Sequence, residues 1–228
     1  VSLKNAGLQR VTVSLDSLDD TVLEKINGRK ISSGRILDGI KAANQAGLYP
    51  IKVNVVVQKG INDHTILDII EYFKGTGNIV RFIEYMDVGT RNQWELNQVV
   101  DAAEIVRIIN ERFPIEPVEK AYLGEVADRY EFLDGSGEIG IISSVTKPFC
   151  AQCTRARLSA DGNLFTCLFS GDGIDLKSPL RQGADDKALL DLIHGIWSKR
   201  SDRYSELRSR LTETERSQPK IEMYQIGG

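Results

Sequence analysis

Ile51-Lys52-Val53-Asn54-Val55-Val56-Val57-Gln58 is a β-branched run of the kind a buried strand of a parallel sheet shows. Upstream, Val11, Val13 and Leu15 alternate with Thr12 and Ser14, which predicts a strand. Between the two, Asp19 or Asp20 can cap a short helix ending near Gly28. Ser32 or Ser33 can cap a longer one carrying Ile36, Leu37, Ile40 and Ala43 on one face, with Gly47 as its stop. Downstream, the loop Lys59–Asp63 leads to a helix with Ile66, Ile69, Ile70 and Phe73, and Ile79–Tyr85 reads as a third strand. Strands alternating with helices of this length make βαβ units and a parallel sheet with right-handed crossovers. Both an open doubly wound sheet and a (β/α) barrel fit, although three strands cannot complete an eight-stranded barrel. Val99–Phe113 supplies one more helix, with Ile105, Ile108 and Ile109 on its apolar side.

After Pro114 the pattern changes to short β-like runs at 115–119, 129–133, 138–142, 155–159 and 163–167. Asp134-Gly-Ser-Gly137 and Asp161-Gly162 mark turns between them. A helix from Ala184 to about Trp197 and a charged tail ending in Gly227-Gly228 follow. The expectation is an α/β part over 1–113 and an antiparallel α+β module over 114–228.

Composition excludes several classes. With 228 residues, 41% of them hydrophobic, and a net charge of -3, the chain lacks the low hydrophobicity and high charge of disorder. A pI near 5.6 argues against broad nucleic-acid binding. No apolar stretch is long enough to span a membrane, and the first ten residues lack the order of a signal peptide, so the chain reads as cytosolic.

The strongest chemical signal is Cys150-Ala-Gln-Cys153 with Cys167 after thirteen intervening residues; the chain has no other cysteine. Three converging thiolates make a soft site for zinc or an iron–sulfur cluster. A closed zinc site needs a fourth ligand, for which the sequence offers only His64 and His194. His64 reads as a capping or solvent residue, whereas His194 could close a Cys3His site. Without a fourth ligand, a cluster keeps one iron open to a substrate. Arg155 and Arg157, two apart on a strand, form a pair of guanidinium forks suited to phosphate, carboxylate or a base edge, or else a solvated face. A two-residue turn at Asp161-Gly162 would set Cys167 opposite Ala156 and point both arginines away from the thiol, unless a bulge turns them back.

In the first part, Lys52 and Asn54 share a face of an otherwise apolar strand, as Thr12 and Ser14 do on theirs, and Arg81 adds a cation on the third. Such a face is either exposed at a sheet edge or lines a polyanion site at the carboxyl end of the sheet.

Val13-Ser-Leu-Asp16, Lys52-Val-Asn-Val-Val56 leading to Gly60-Ile-Asn-Asp63, Arg81-Phe-Ile-Glu-Tyr-Met-Asp87, Cys150-Ala-Gln-Cys-Thr-Arg-Ala-Arg-Leu-Ser159 and Gly227-Gly228, in this order, resemble the GTP 3′,8-cyclases of molybdenum cofactor biosynthesis. These are radical S-adenosylmethionine (SAM) enzymes. The resemblance implies the C-terminal part of a partial (β/α)6 TIM-like barrel, followed by an α+β domain carrying an auxiliary 4Fe-4S cluster. It implies that Cys150, Cys153 and Cys167 hold that cluster, whose open iron takes the purine of GTP. It further implies that Arg155, Ala156 and Arg157 contact the nucleotide, that Lys52, Asn54 and Arg81 serve GTP and its triphosphate, that Ser14 and Met86 hold SAM, and that Gly227 and Gly228 reach the active site.

The sequence departs from the family in lacking the CxxxCxxC of the first 4Fe-4S cluster and the glycine-rich SAM loop. The chain therefore reads as a C-terminal portion, inactive alone, of an enzyme that converts GTP to 3′,8-cyclo-7,8-dihydro-GTP. In the complete enzyme a 5′-deoxyadenosyl radical takes the C3′ hydrogen of GTP and C3′ then attacks C8, a lyase reaction in the family's terms. Cyclic pyranopterin monophosphate synthase is the implied partner downstream; a homodimer is an open option, and neither nucleic acid nor membrane is expected. Two alternatives stand beside this reading: another radical SAM enzyme with a three-cysteine auxiliary cluster, and a Cys3His zinc module.

Overall fold

The β-branched runs become β1 (Thr12–Ser14), β2 (Lys52–Val57) and β3 (Ile79–Glu84) in the computed structural model, which describes residues 1–90, 92–216 and 218–226. A short helix, α1 (Ser2–Asn5), precedes them. The connections are helical as the periodicity predicts: α2 (Asp20–Asn27) and α3 (Ser33–Gln45) before β2, α4 (Ile66–Phe73) before β3, and α5 (Ala102–Arg112) after it. The Asp19 carboxylate accepts from the amides of Thr21 and Val22 at 2.7 and 3.1 Å, and Gly28 closes α2 in the left-handed conformation. Asp101 caps α5 by accepting from the Glu104 amide. Ser32 occupies the cap position of α3 without a capping bond; Ser33 instead donates to the Leu18 carbonyl and the Asp20 carboxylate.

The strands beyond Pro114 do not start a separate module. β4 (Ile115–Val118), β5 (Asp128–Phe132) and β6 (Glu138–Ile142) continue the same sheet, in the order β1-β2-β3-β6-β5-β4. β1, β2, β3 and β6 run parallel, and β5 and β4 return antiparallel. The cause is β6: Ile139, Ile141 and Ile142 are buried, and a strand this apolar gains more beside β3 than in an exposed hairpin. The chain thus forms two compact units that differ from the expected division at 113/114, Val1–Met86 with Glu95–Lys147 and Asp87–Trp94 with Pro148–Gly228.

In the first unit one face of the sheet is covered. Val53, Val55, Val57, Val80 and Phe82 pack with Leu23, Ile40, Ile69, Phe73, Ile105 and Ile109 from α2 to α5. Each such side chain contributes about 1.5–3 kcal/mol by leaving water. Because side chains alternate along a strand, Thr12, Ser14, Lys52, Asn54 and Arg81 share the opposite face, which is only half buried or exposed.

The second unit contains a three-stranded antiparallel sheet, β7 (Arg157–Leu158), β8 (Asn163–Phe165) and β9 (Ile174–Asp175). Then come α6 (Lys177–Arg181), α7 (Asp186–Ser198), α8 (Tyr204–Leu207) and α9 (Glu213–Arg216). The predicted helix at 184–197 is α7, capped by Asp185. No helix among the described residues is long and apolar enough to cross a membrane.

Candidate functional site

In the first unit the expected residues fall on one rung. Ser14 pairs with Asn54, Asn54 with Arg81, and Arg81 with Gly140. Lys52 lies two residues before Asn54 on the same face. Arg81 donates from Nε to Asn54 Oδ1 at 2.9 Å, which fixes the guanidinium along the rung. Gly140 makes the room: a Cβ there would stand 3.2 Å from Arg81 Cγ and 3.1 Å from Ala127 Cβ. Burial lowers the pKa of Lys52, helped by the charge of Arg81, and burial likewise lowers that of Arg81. Both cations line one cavity with Tyr122, Glu125 and Arg129. No carboxylate among the described residues forms a salt bridge with either, although the charge of Glu125, in the same cavity, pulls the pKa of both back up. Met86 lies two residues beyond the end of β3 and is half buried.

The carboxyl end of these strands is held by groups that the residue pattern did not single out. Asn62, 1% exposed, donates to the carbonyls of Asp16 and Val56 and accepts from the Gln58 amide, each at 2.8 Å. Asp16 accepts from the Val56 amide at 2.8 Å; burial raises its carboxyl pKa and that hydrogen bond offsets part of the rise. Glu84, fully buried, accepts from the amides of Ala102, Val145 and Thr146 at 2.7–2.9 Å, and from the Thr146 hydroxyl.

In the second unit the three cysteines are free thiols, each half buried. Cys150 opens a single helical turn, Cys150–Gln152, and the Cys153 amide closes it on the Cys150 carbonyl at 3.2 Å. Arg155 stacks over Phe149, 5.1 Å from guanidinium carbon to ring centroid, and its Nε is buried without a partner among the described residues. Burial pushes the Cys153 thiol up, but hydrogen bonds from the Arg155 amide and from the Arg200 and Arg155 side chains bring it down to about 7. Cys167 moves the other way, raised by burial. Burial lowers the pKa of Arg157, as does Arg155, while Cys153 and Cys167 pull it back up. The thiols and the arginine pair therefore act on one another electrostatically. Ala156 is exposed between the two arginines, and Gly227 and Gly228 lie outside the described residues.

The hairpin register differs from the expected one in a way that matters. Arg157 faces Phe165 and Leu158 faces Leu164, so the loop has three residues, Ala160 to Gly162, rather than two. In that ladder Arg157 lies on the face of Phe165; the pairing ends there, and Arg155 and Cys167 stand beyond it. Arg200 joins them from 33 residues beyond Cys167, donating to the Cys153 carbonyl at 2.5 Å; no local pattern marks it.

Three soft thiols, one already near its ionised form and with arginines supplying positive charge, are the donor type that zinc and iron–sulfur clusters take. No three His, Cys, Asp or Glu side chains among the described residues gather as one metal ion requires. A cluster takes each thiolate on a different iron, so its ligands stand apart. His194 is exposed on α7, and the His64 side chain is 65% exposed.

Residues 2–73 match the family model of the radical SAM superfamily, and residues 78–206 match Molybdenum Cofactor Synthesis C. The chain is 46% identical over its whole length to a GTP 3′,8-cyclase of Xanthomonas axonopodis pv. citri, covering 67% of that protein. The chain belongs to the GTP 3′,8-cyclase family. The cyclase of Acidothermus cellulolyticus is 49% identical over 211 residues, of which it is covered to 58%. That of Staphylococcus aureus strain MRSA252 is 46% identical over 227 residues and covered to 66%. The chain thus spans about two thirds of the length of the curated cyclases it matches. Membership in this radical SAM family implies SAM and 4Fe-4S clusters as cofactors.

Proposed function

We propose that this chain is the substrate-binding end of a GTP 3′,8-cyclase, a lyase in which the sheet is the back of a partial (β/α)6 barrel and Cys150, Cys153 and Cys167 hold the auxiliary cluster. The observation that carries the reading is the surroundings of Cys153, whose carbonyl accepts from Arg200 and whose charge, with that of Cys167, acts on Arg157. Two guanidinium forks beside three thiolates suit a purine edge and its carbonyl. Lys52 and Arg81, with Asn54 orienting Arg81, suit the triphosphate, and Ser14 and Met86 suit SAM. Radical generation at SAM belongs to the first cluster and its segment, which this chain does not contain.

The residues present bind and orient. Within the first unit Lys52 and Arg81 suit the neutralising of phosphate charge without a competing salt bridge, and within the second the arginine pair suits the holding of a base edge. The Gly227-Gly228 terminus, a homodimer and the downstream synthase remain parts of the family's implied picture.

The test uses the full-length protein, reconstituted anaerobically. Exchanging all three cysteines for serine should remove about four irons, one cluster's content. Arg157→Ala should keep that iron and weaken GTP binding. One zinc in place of the irons, or unchanged GTP affinity in Arg157→Ala, would reject the reading in favour of a zinc module or of a different substrate.

A further inference from the structure

The second unit holds a buried polar cluster that the cysteine site does not use. Asp87, 6% exposed, follows Met86 directly. Its Oδ1 accepts from Arg208 Nε at 2.8 Å, and its Oδ2 accepts from Lys220 Nζ at 3.1 Å and from the Tyr204 hydroxyl. Lys220 also donates to the main-chain carbonyl of Asp87 at 3.1 Å and to the Tyr204 oxygen at 2.6 Å. The lysine side chain is 4% exposed. Phe169 stacks on Tyr204 with centroids 4.4 Å apart; Lys220 Nζ stands 4.6 Å from the Tyr204 centroid, and the Arg208 guanidinium 5.1 Å from that of Phe169. Two cations share one carboxylate, and the ring faces supply further negative potential.

Around this cluster the segment 219–222 is gripped from both sides. The Ile221 amide donates to the Ser170 carbonyl at 3.0 Å, and Glu222 Oε1 accepts from the amide and hydroxyl of Thr90 at 3.0 and 3.1 Å. A Cβ at Gly171 would stand 2.4 Å from the Pro219 carbonyl, and one at Gly89 would stand 2.1 Å from Glu222 Oε2.

We propose that Asp87 is a positioning residue, which gathers Tyr204, Arg208 and Lys220 and so docks residues 218–226 against 87–90 and 169–171. Net stabilisation does not explain the arrangement, because an apolar replacement of a buried ion pair holds a core together at least as well. What a charge pair adds is register. Lys220 is held by the carboxylate and the main-chain oxygen of one residue, so a slip of one position along the tail would break both bonds. The effect of this docking on turnover rests on the cyclase reading; the docking itself does not.

Hydrogen exchange on the full-length protein, followed by mass spectrometry, tests it. Asp87→Asn should speed exchange of the Ile221, Gln225 and Ile226 amides by about tenfold or more, the effect of losing one charged hydrogen bond on a local opening, with β2 and β3 unchanged. Lys220→Met should do the same and Lys220→Arg should restore protection. In the cyclase assay Asp87→Asn and Lys220→Met should lower kcat with KM for GTP little changed, and Lys220→Arg should recover it. If Asp87→Asn fails to fold, the two Lys220 variants decide. Unchanged tail exchange in Asp87→Asn, or equal exchange in the two Lys220 variants, overturns the proposal. A wild-type enzyme that docks its tail and turns over no GTP would count against the cyclase reading alone.

Discussion

Arg157 stands opposite Phe165 across the β7–β8 ladder, one residue away from the Thr166 that a two-residue turn would have given it. A slip of one residue exchanges the two faces of a strand, so this pairing puts Arg157 on the face of Phe165 and Asn163. The extra residue is accommodated by Gly162 at φ +87°, whose amide donates to the Ser159 carbonyl at 3.0 Å, a three-residue loop ending in a left-handed glycine.

Gly162→Ala should therefore damage the site at a distance. The new Cβ would stand 2.7 Å from Lys177 Cβ, in a backbone conformation that alanine adopts poorly. The expected loss is about 1–3 kcal/mol, measured by denaturant unfolding. Iron retention after reconstitution should fall as well, because the loop sets the register. A variant with unchanged stability would show that the loop rearranges freely.

The thiols should titrate apart in metal-free protein. Cys153, held down to about 7 by the Arg155 amide and the Arg200 and Arg155 side chains against the upward pull of burial, should reach half-maximal alkylation by iodoacetamide near pH 7. Cys167, raised by burial, should lag well behind it. Arg200→Ala should shift the Cys153 profile to higher pH. Because the folded value lies below the unfolded one of about 8.5, the associated stabilisation is complete above that pH and fades as pH falls through about 7. Peptide mapping of the alkylated residues gives the three profiles separately.

Much of this was legible in the sequence. Period-two and β-branched runs mark β1, β2 and β3 at the positions they occupy, and Asp19, Asp101 and Gly28 punctuate the helices as capping chemistry requires. That Lys52 and Asn54 share one face of their strand, and Thr12 and Ser14 one face of theirs, follows from alternation alone; that Arg81 joins them rests on the register. What stayed hidden depends on pairing partners distant along the chain. That Glu138–Ile142 runs parallel to β3 is a tertiary choice, since its apolar pattern asks for a buried place without naming the neighbouring strand. Arg200 meets Cys153 only because the chain returns after α7, and the hairpin register turned on one residue of loop length.

Glu84 should behave as a structural carboxylate. It satisfies three backbone amides and one hydroxyl inside the first unit, from α5 and from the segment after β6. Glu84→Ala leaves those amides without an acceptor in a dry setting and should cost about 3 kcal/mol or more, read from chemical denaturation. Glu84→Gln should recover part of that, since its one carbonyl oxygen can still accept. Equal stability of Glu84→Ala and wild type would mean that water enters and replaces the carboxylate.

The polar rung makes a prediction that separates phosphate from base. Lys52 and Arg81 lie on the sheet in the first unit, and the cysteines and their arginines belong to the second. If the cations serve the triphosphate, Lys52→Ala and Arg81→Ala in the full-length protein should each weaken GTP binding by about tenfold or more, the worth of one charged hydrogen bond, and leave guanosine binding nearly unchanged. Arg157→Ala should weaken both ligands alike. Asn54→Ala should resemble a mild Arg81→Ala, because Asn54 Oδ1 holds the guanidinium at 2.9 Å and its loss leaves the charge but not its aim. Isothermal titration with the two ligands supplies the comparison. Equal losses for GTP and guanosine in Lys52→Ala would move that lysine from the phosphates to the nucleoside.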